Sequence, residues 1–306
     1  SSSAASDVYK RQICASIIVI IGTFYPIALE IMTGMKITVG PPYFEATFNP
    51  IMALLVIMMG IGPFLVWKRG ILPKSNKIWI FAGASAVVIS AISFWASNEL
   101  SVSALAGIAT AAWLGISLLC DIFVKIQKLN RNQYTNFWQY VLHLQWGMWI
   151  AHFGIVIFLI GALGEGIYRS ESVARMHIGD KISLGSDSVE LQAISARNES
   201  NYETLVATLK LTNSDNIQIG FLFPEKRIYP VERQTTTEAA IRRTVTADYY
   251  AVLGDGNRED GYTIRLYHKP FVSWVWLGVI MMASGVAISV IIQRLKPKQT
   301  HVAFTS

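Results

Sequence analysis

The sequence is poor in charge and in cysteine. Only 15% of its 306 residues are Asp, Glu, Lys or Arg, against about 25% in ordinary soluble domains. That excludes one large soluble core. Cysteine occurs twice, at Cys14 and Cys120. Both fall in apolar runs without CxxC spacing, so they read as small hydrophobic residues and not as a redox couple or a thiolate metal site. Residues 169–270 contain no cysteine, so this segment can occupy an oxidising compartment without disulfide chemistry of its own. Their 13 basic and 14 acidic groups nearly cancel, which leaves no electrostatic footprint for nucleic acid. Phosphate-binding glycine loops, nucleophile–base motifs and paired catalytic carboxylates are missing as well. An enzyme built this way has to act by positioning a cofactor.

What the chain has instead is long apolar runs, with 52% hydrophobic residues. Six runs, 13–34, 50–67, 78–96, 102–124, 148–168 and 271–293, are long enough to cross about 30 Å of hydrocarbon. Loops 68–77 and 125–147 and the tail after 293 carry ten Lys and Arg, whereas loops 35–49 and 97–101 carry one, Lys36. The positive-inside rule puts the basic set in the cytoplasm. The fold class is therefore an α-helical polytopic membrane protein with about six transmembrane helices and a small β-rich periplasmic domain inserted before the last helix. Residues 13–168 hold five spans, 169–270 the outer domain, 271–293 the last span and 294–306 a cytoplasmic tail. The expected location is the bacterial inner membrane, in contact with its lipid. Residues 2–12 back-translate without mismatch to a transposon-based sequencing adapter. Residues 1–12 are expected to be non-native and are set aside from the fold.

The outer domain alternates apolar and polar residues over 181–185, 188–194, 203–212, 216–223 and 262–269, the period of half-buried strands. Turn residues fall at 213–215 and 254–261. Residues 235–245 read as a short helix opened by a threonine cap. A β-sandwich or barrel of roughly 100 residues follows from the segment's length.

The residue most able to carry chemistry is His152, an ionisable group within an apolar span, about 8 Å from its inner end. Imidazole is the commonest nitrogen ligand for metals and haem. Gly147, Gly154 and Gly161 recur every seven residues. That stripe suits either tight helix packing or a flat macrocycle beside the helix, and the residues alone leave both open. His143 lies on the opposite helix face and reads, with Trp138 and Trp146, as interfacial. His177, His268 and His301 have no metal spacing. Glu30, after Pro26, and Asp121 lie near span ends, where solvation or a proton relay would explain them. The loop 35–50 is stiffened by Pro41 and Pro42 and carries Tyr43, Phe44 and Phe48, as an interfacial anchor or a recognition edge would.

The strings GTFYPIALE (22–30), KITVGPPYF (36–44), AHFG (151–154), PEKRIYP (224–230), TEAAI (237–241), DYYAVLG (248–254) and RLYHKPFVSWVW (265–276) occur in this order. Together they resemble the C-terminal part of the CcmF family, the haem lyase subunit of cytochrome c maturation, over 13–293. The resemblance implies covalent attachment of haem to the CxxCH cysteines of apocytochromes c on the outer face of the membrane. It implies haem delivery by a haem chaperone and apoprotein presentation by a thiol-handling subunit. It also implies a second haem, a haem b held between two intramembrane histidines, as electron donor. His152 matches one of those ligands in its AHxG context. The family's tryptophan-rich outer segment, two outer histidines and other intramembrane ligand are expected upstream of residue 13. The family usually has Tyr where this chain has His268. Tyr43, Arg227, Glu238 and Arg265 are candidates for a substrate or partner surface. A nitrite-reductase-specific haem lyase paralogue and a non-catalytic haem-handling scaffold are the alternatives.

Overall fold

The computed structural model describes residues 2–62, 77–97, 100–131 and 145–295. Six helices are present among them: α1 (Ser2–Thr33), α2 (Pro41–Ile61), α3 (Lys77–Ala96), α4 (Val102–Arg131), α5 (Trp146–Tyr168) and α6 (Val272–Leu295). Each is long and apolar enough to cross a membrane, and a β-rich domain stands between the last two. The chain is a multi-pass membrane protein of the expected fold class. It divides into two compact units: Ser1–Val156 with Ile280–Ser306, and Ile157–Val279.

In the first unit the helices meet through small residues. Lipid tails are as apolar as leucine, so close backbone approach, not water exclusion, holds membrane helices together. A Cβ at Gly22 of α1 would lie 2.7 Å from the Tyr43 ring. The Trp113 indole covers Gly60, and its Nε1 donates to Ile57 O at 3.0 Å, joining α4 to α2. Ser90 of α3 donates to Leu105 O of α4 at 3.3 Å. Gly115 of α4 lies against Val156 of α5. A Cβ at Gly285 of α6 would lie 2.5 Å from both Ala151 N and Gly147 O of α5. Large apolar side chains such as Ile31, Trp95 and Val102 stand exposed, as lipid-facing residues do.

Two membrane segments differ from the sequence reading. Among the described residues the second span is Pro42–Ile61, so it begins before the expected residue 50 and the supposed loop 41–50 is helical; residues 63–67 of the expected span lie outside the described residues. Pro41 and Pro42 occupy the first helical positions after Gly40, where the missing N–H is not needed and the fixed φ suits the helix. Pro50 lies inside α2. At the other end, α4 continues to Arg131, so Lys125 is helical, not in a loop. The basic positions 68, 69, 74, 296 and 298, together with Trp138, His143 and His301, lie outside the described residues.

In the second unit ten strands form two antiparallel sheets around one core. The strands are β1 (Ser170–Met176), β2 (Lys181–Leu184), β3 (Asp187–Asn198), β4 (Glu203–Thr212), β5 (Gln218–Leu222), β6 (Glu225–Tyr229), β7 (Gln234–Glu238), β8 (Ala240–Arg243), β9 (Ala247–Asn257) and β10 (Gly261–Pro270). One sheet has the order β1-β10-β9-β8, the other β2-β3-β4-β6-β7 with β5 on β4. Met176, Leu184, Val189, Leu191, Leu209, Leu222, Leu253, Ile264 and Leu266 are at most 2% exposed and belong to one cluster. The cluster draws on both sheets, which makes the domain a sandwich. Inward residues alternate with outward ones along β3 and β4, as the two-residue period of a strand requires.

The helix expected over 235–245 is absent. Thr235, Thr236 and Thr237 lie in β7, paired with β6, and Ile241 pairs with Tyr250 from β8. Three consecutive β-branched residues favour a strand, and the ladder to β6 satisfies backbone groups that an isolated helical turn would leave open. Likewise Gly254 and Gly256 lie in β9, which reaches Asn257, so the turn is narrower than 254–261. At the sandwich exit Phe271 has φ +61. A bulky residue in this conformation costs of order 1–3 kcal/mol. Here its N–H donates to Thr246 O at 2.8 Å, and its ring covers Gly164.

Candidate functional site

His152 is the one histidine within a span among the described residues. It lies on α5, half-buried. Its Nδ1 is 2.7 Å from the carbonyl oxygen of Met148. A carbonyl only accepts, so Nδ1 carries the proton, and in the neutral ring Nε2 keeps its lone pair. This is the tautomer a ligand histidine needs, with its other nitrogen oriented by a carbonyl.

The glycine stripe does not leave room for a macrocycle along the faces seen. A Cβ at Gly147 would collide with Gly285 O and Ser289. One at Gly161 would lie 2.7 Å from Val275 N. Both glycines serve packing against α6. At 100° per residue, His152 sits about 140° around α5 from Gly147, on a different face from this contact.

A buried polar group lies between α4 and α5. Asp121 was expected to be solvated at the span end or to relay protons. It is 2% exposed, because α4 continues past it and α5 covers it. Its Oδ2 accepts from Lys125 Nζ at 2.7 Å and from Trp149 Nε1 at 2.9 Å. Lys125 also donates to Gln145 Oε1 at 2.8 Å. Trp149 is 3% exposed and three residues from His152. The signal available beforehand was the i, i+4 spacing of Asp121 and Lys125, which places both on one helix face. Glu30, in contrast, is exposed and 3.6 Å from Lys36, an ordinary surface pair. Cys14 is exposed on α1 and Cys120 half-buried, both free thiols.

The four surface candidates do not converge. Tyr43 lies in the first turn of α2 and donates to Ile18 O at 3.3 Å, a helix-packing role. Arg227 and Glu238 come together, 3.7 Å apart, on β6 and β7. Arg227 Nε also bonds Glu225 Oε2 at 3.0 Å, and the guanidinium covers the Tyr202 ring at 4.9 Å. This carboxylate holds the guanidinium pKa above its ordinary value. Arg265, on β10 of the other sheet, pairs with Glu171 at 3.6 Å. His177 lies in the turn after β1, and its Nε2 is 3.2 Å from Glu259 O. No cluster of metal-ligating side chains occurs among the described residues.

His268 belongs to a buried polar group at the end of the sandwich from which α5 enters and α6 leaves. Ser170, His268 and Tyr249 are neighbours across β1, β10 and β9. The His268 and Tyr249 rings are 5.0 Å apart. Tyr249 OH donates to Asp187 Oδ2 of β3 at 2.6 Å. Burial lowers the His268 pKa below its ordinary value, partly offset by Asp187. Burial and the Asp187 bond push Tyr249 up. The residues converge here only because the two sheets close on each other, so spacing along the chain gave no sign of them.

Residues 167–270 match the family model described as the CcmF C-terminal beta-sandwich. The chain is similar to the C-terminal part of the CcmF family. It is 32% identical to the cytochrome c-type biogenesis protein CycK of Bradyrhizobium diazoefficiens over 92% of its own length and 43% of that protein. It is 30% identical to the cytochrome c-type biogenesis protein CcmF of Pseudomonas aeruginosa, over 93% and 43%. A solved structure titled Cytochrome c Heme Lyase CcmF superposes with a TM-score of 0.64 at 20% identity, over 92% of this chain and 44% of that one. The likeness therefore runs nearly end to end in this chain, while the chain spans less than half of the relatives it matches. The motif strings that suggested CcmF lie mostly in the sandwich: PEKRIYP and TEAAI meet in the β6–β7 pair, DYYAVLG lies within β9, and RLYHKPF forms β10 and its exit.

Proposed function

We propose that this chain forms the C-terminal part of a cytochrome c haem lyase, with His152 an axial ligand of an intramembrane haem b. The observation that carries the reading is the way α5 holds the His152 ring. Its Nδ1–H is engaged by Met148 O at 2.7 Å, leaving Nε2 as a lone-pair donor inside an apolar helix. One oriented imidazole in an apolar span suits a haem iron and does not suit a hard cation, which takes oxygen ligands.

When bound, the haem b would supply the electron that keeps substrate haem iron reduced. The rest is positioning by this chain. Met148 O orients the imidazole. The α5 and α6 backbones, in contact at Gly147 and Gly285, hold the ligand helix against its neighbour. On this reading the sandwich lies in the periplasm, the side where apocytochrome c, its thiol-handling subunit and the haem chaperone meet. Thioether formation adds a cysteine thiol across a haem vinyl group. It needs orientation more than a protein nucleophile, which agrees with the absence of nucleophile motifs.

The test is His152→Ala in the haem lyase purified from membranes. The haem b absorbance should disappear and cytochrome c maturation with it. Wild-type haem absorbance in the variant would rule out the ligand role.

A further inference from the structure

Asp121 is poorly explained as a packing residue. It is 2% exposed in a span where ionisable groups are costly, and buried ion pairs can often be replaced by apolar residues without loss of stability. What an apolar replacement cannot supply is a directional acceptor. An indole has one N–H, and Trp149 gives it to Asp121 Oδ2 at 2.9 Å. The carboxylate is itself held by Lys125 at 2.7 Å, and Lys125 is tied to Gln145, just before α5, at 2.8 Å. The Lys125 ammonium also lies 5.6 Å from the centre of the Trp149 ring. Trp149 follows Met148, whose carbonyl orients His152.

We infer that Asp121 is a positioning residue for the His152 imidazole: through Trp149 it sets the rotation of the inner end of α5. This rests on the haem-ligand reading above. Against α6 this end packs small residues, Gly147 and Ala151 on Gly285 and Ser289. This contact fixes the distance between α5 and α6 but offers little resistance to rolling. A roll of about 20° moves an atom at the helix rim, some 5–6 Å from the axis, by about 2 Å. Functional groups must be held within about 0.5 Å of their working geometry. A hydrogen bond three residues from the ligand, reaching across to α4, resists that roll.

Two neutral pairs separate the acceptor from the charge: D121N/K125M keeps an acceptor for Trp149, and D121L/K125M does not. Both are placed in the haem lyase purified with its haem, beside W149F and H152A. D121N/K125M should keep the wild-type balance of low-spin to high-spin haem. D121L/K125M and W149F should both shift it to high spin and retain haem about 10- to 100-fold less tightly, the usual cost of losing an outer-shell partner. Simple destabilisation lowers the amount of haem but leaves the spin state of the remainder unchanged. The same spin balance in both double variants, whether wild-type or altered, overturns the positioning role. An unchanged spectrum in H152A shows instead that His152 is not the ligand, and the positioning role falls with it.

Discussion

Replacing Tyr249 with Phe tests whether the end of the sandwich next to α5 and α6 is held by its polar group or by packing alone. Tyr249 is 6% exposed and Asp187 8%, so neither has ready access to water. The 2.6 Å bond between them joins β9 of one sheet to β3 of the other. The remaining side-chain donor to Asp187 is Ser186, at 3.4 Å, too long to compensate. Phenylalanine keeps the ring against His268 and removes only the hydroxyl. Losing a buried hydrogen bond to a carboxylate costs about 1.5–3 kcal/mol. For a domain of about 100 residues each kcal/mol lowers the melting temperature by about 4–8 °C, so about 2 kcal/mol should lower it by about 8–16 °C. Hydrogen exchange on the whole chain in nanodiscs reads the loss locally, as faster exchange of β3 and β9 amides with little change in the membrane helices. The reasoning fails if Tyr249→Phe stays within about 0.5 kcal/mol of wild type. It fails equally if the effects of Tyr249→Phe and Asp187→Asn simply add, because partners in one bond must couple.

Other expectations follow from the same structure. The His268 pKa is lowered, so the unfolded chain binds more protons than the folded one below about pH 6.5; sandwich stability should fall as pH drops through that value, and His268→Phe should flatten the slope, whereas an unchanged slope in melting curves contradicts the assignment. Gly285→Val would drive a methyl group into the α5 backbone and should cost about 1–3 kcal/mol by overpacking, seen as a lower melting temperature in detergent; an unaffected variant would mean that the helices are not in backbone contact. Leu209→Ala, at 0% exposure in the core, should cost about 2–5 kcal/mol in denaturant unfolding of the sandwich. Arg227→Ala removes partly exposed pairs, and double-mutant cycles with Glu238 should give about 1 kcal/mol or less.

The fold was legible where a pattern is periodic and long. A span needs about 20 apolar residues whatever its neighbours do, so six were countable, and β3, β4 and β10 alternate strongly enough to declare themselves. Errors fell where a local signal has two uses. Pro41 and Pro42 stiffen a loop or open a helix equally well, and the presence of α1 beside Tyr43 and Phe44 favours the helix. TTTEAAIRR resembles a capped helix by its first threonine and a strand by its β-branching, and pairing with β6 and β9 decides for strands. The strands β6 to β9 are short or contain glycine, so they carry little pattern of their own.

The candidate site divides in the same way. His152 stood out from the sequence because an ionisable residue in a hydrocarbon-length run is rare whatever surrounds it, and its AHxG context carried the family resemblance. Composition likewise determined the membrane class, since no folding can hide so many apolar residues in so small a soluble core. The burial of Asp121 under α5, the bond from Trp149 and the meeting of Ser170, Asp187, Tyr249 and His268 depended on tertiary structure. Each joins residues brought close by the packing of separate elements, and hydrogen bonds act over about 3 Å, so separation along the chain carries no information about them until the helices and sheets have closed.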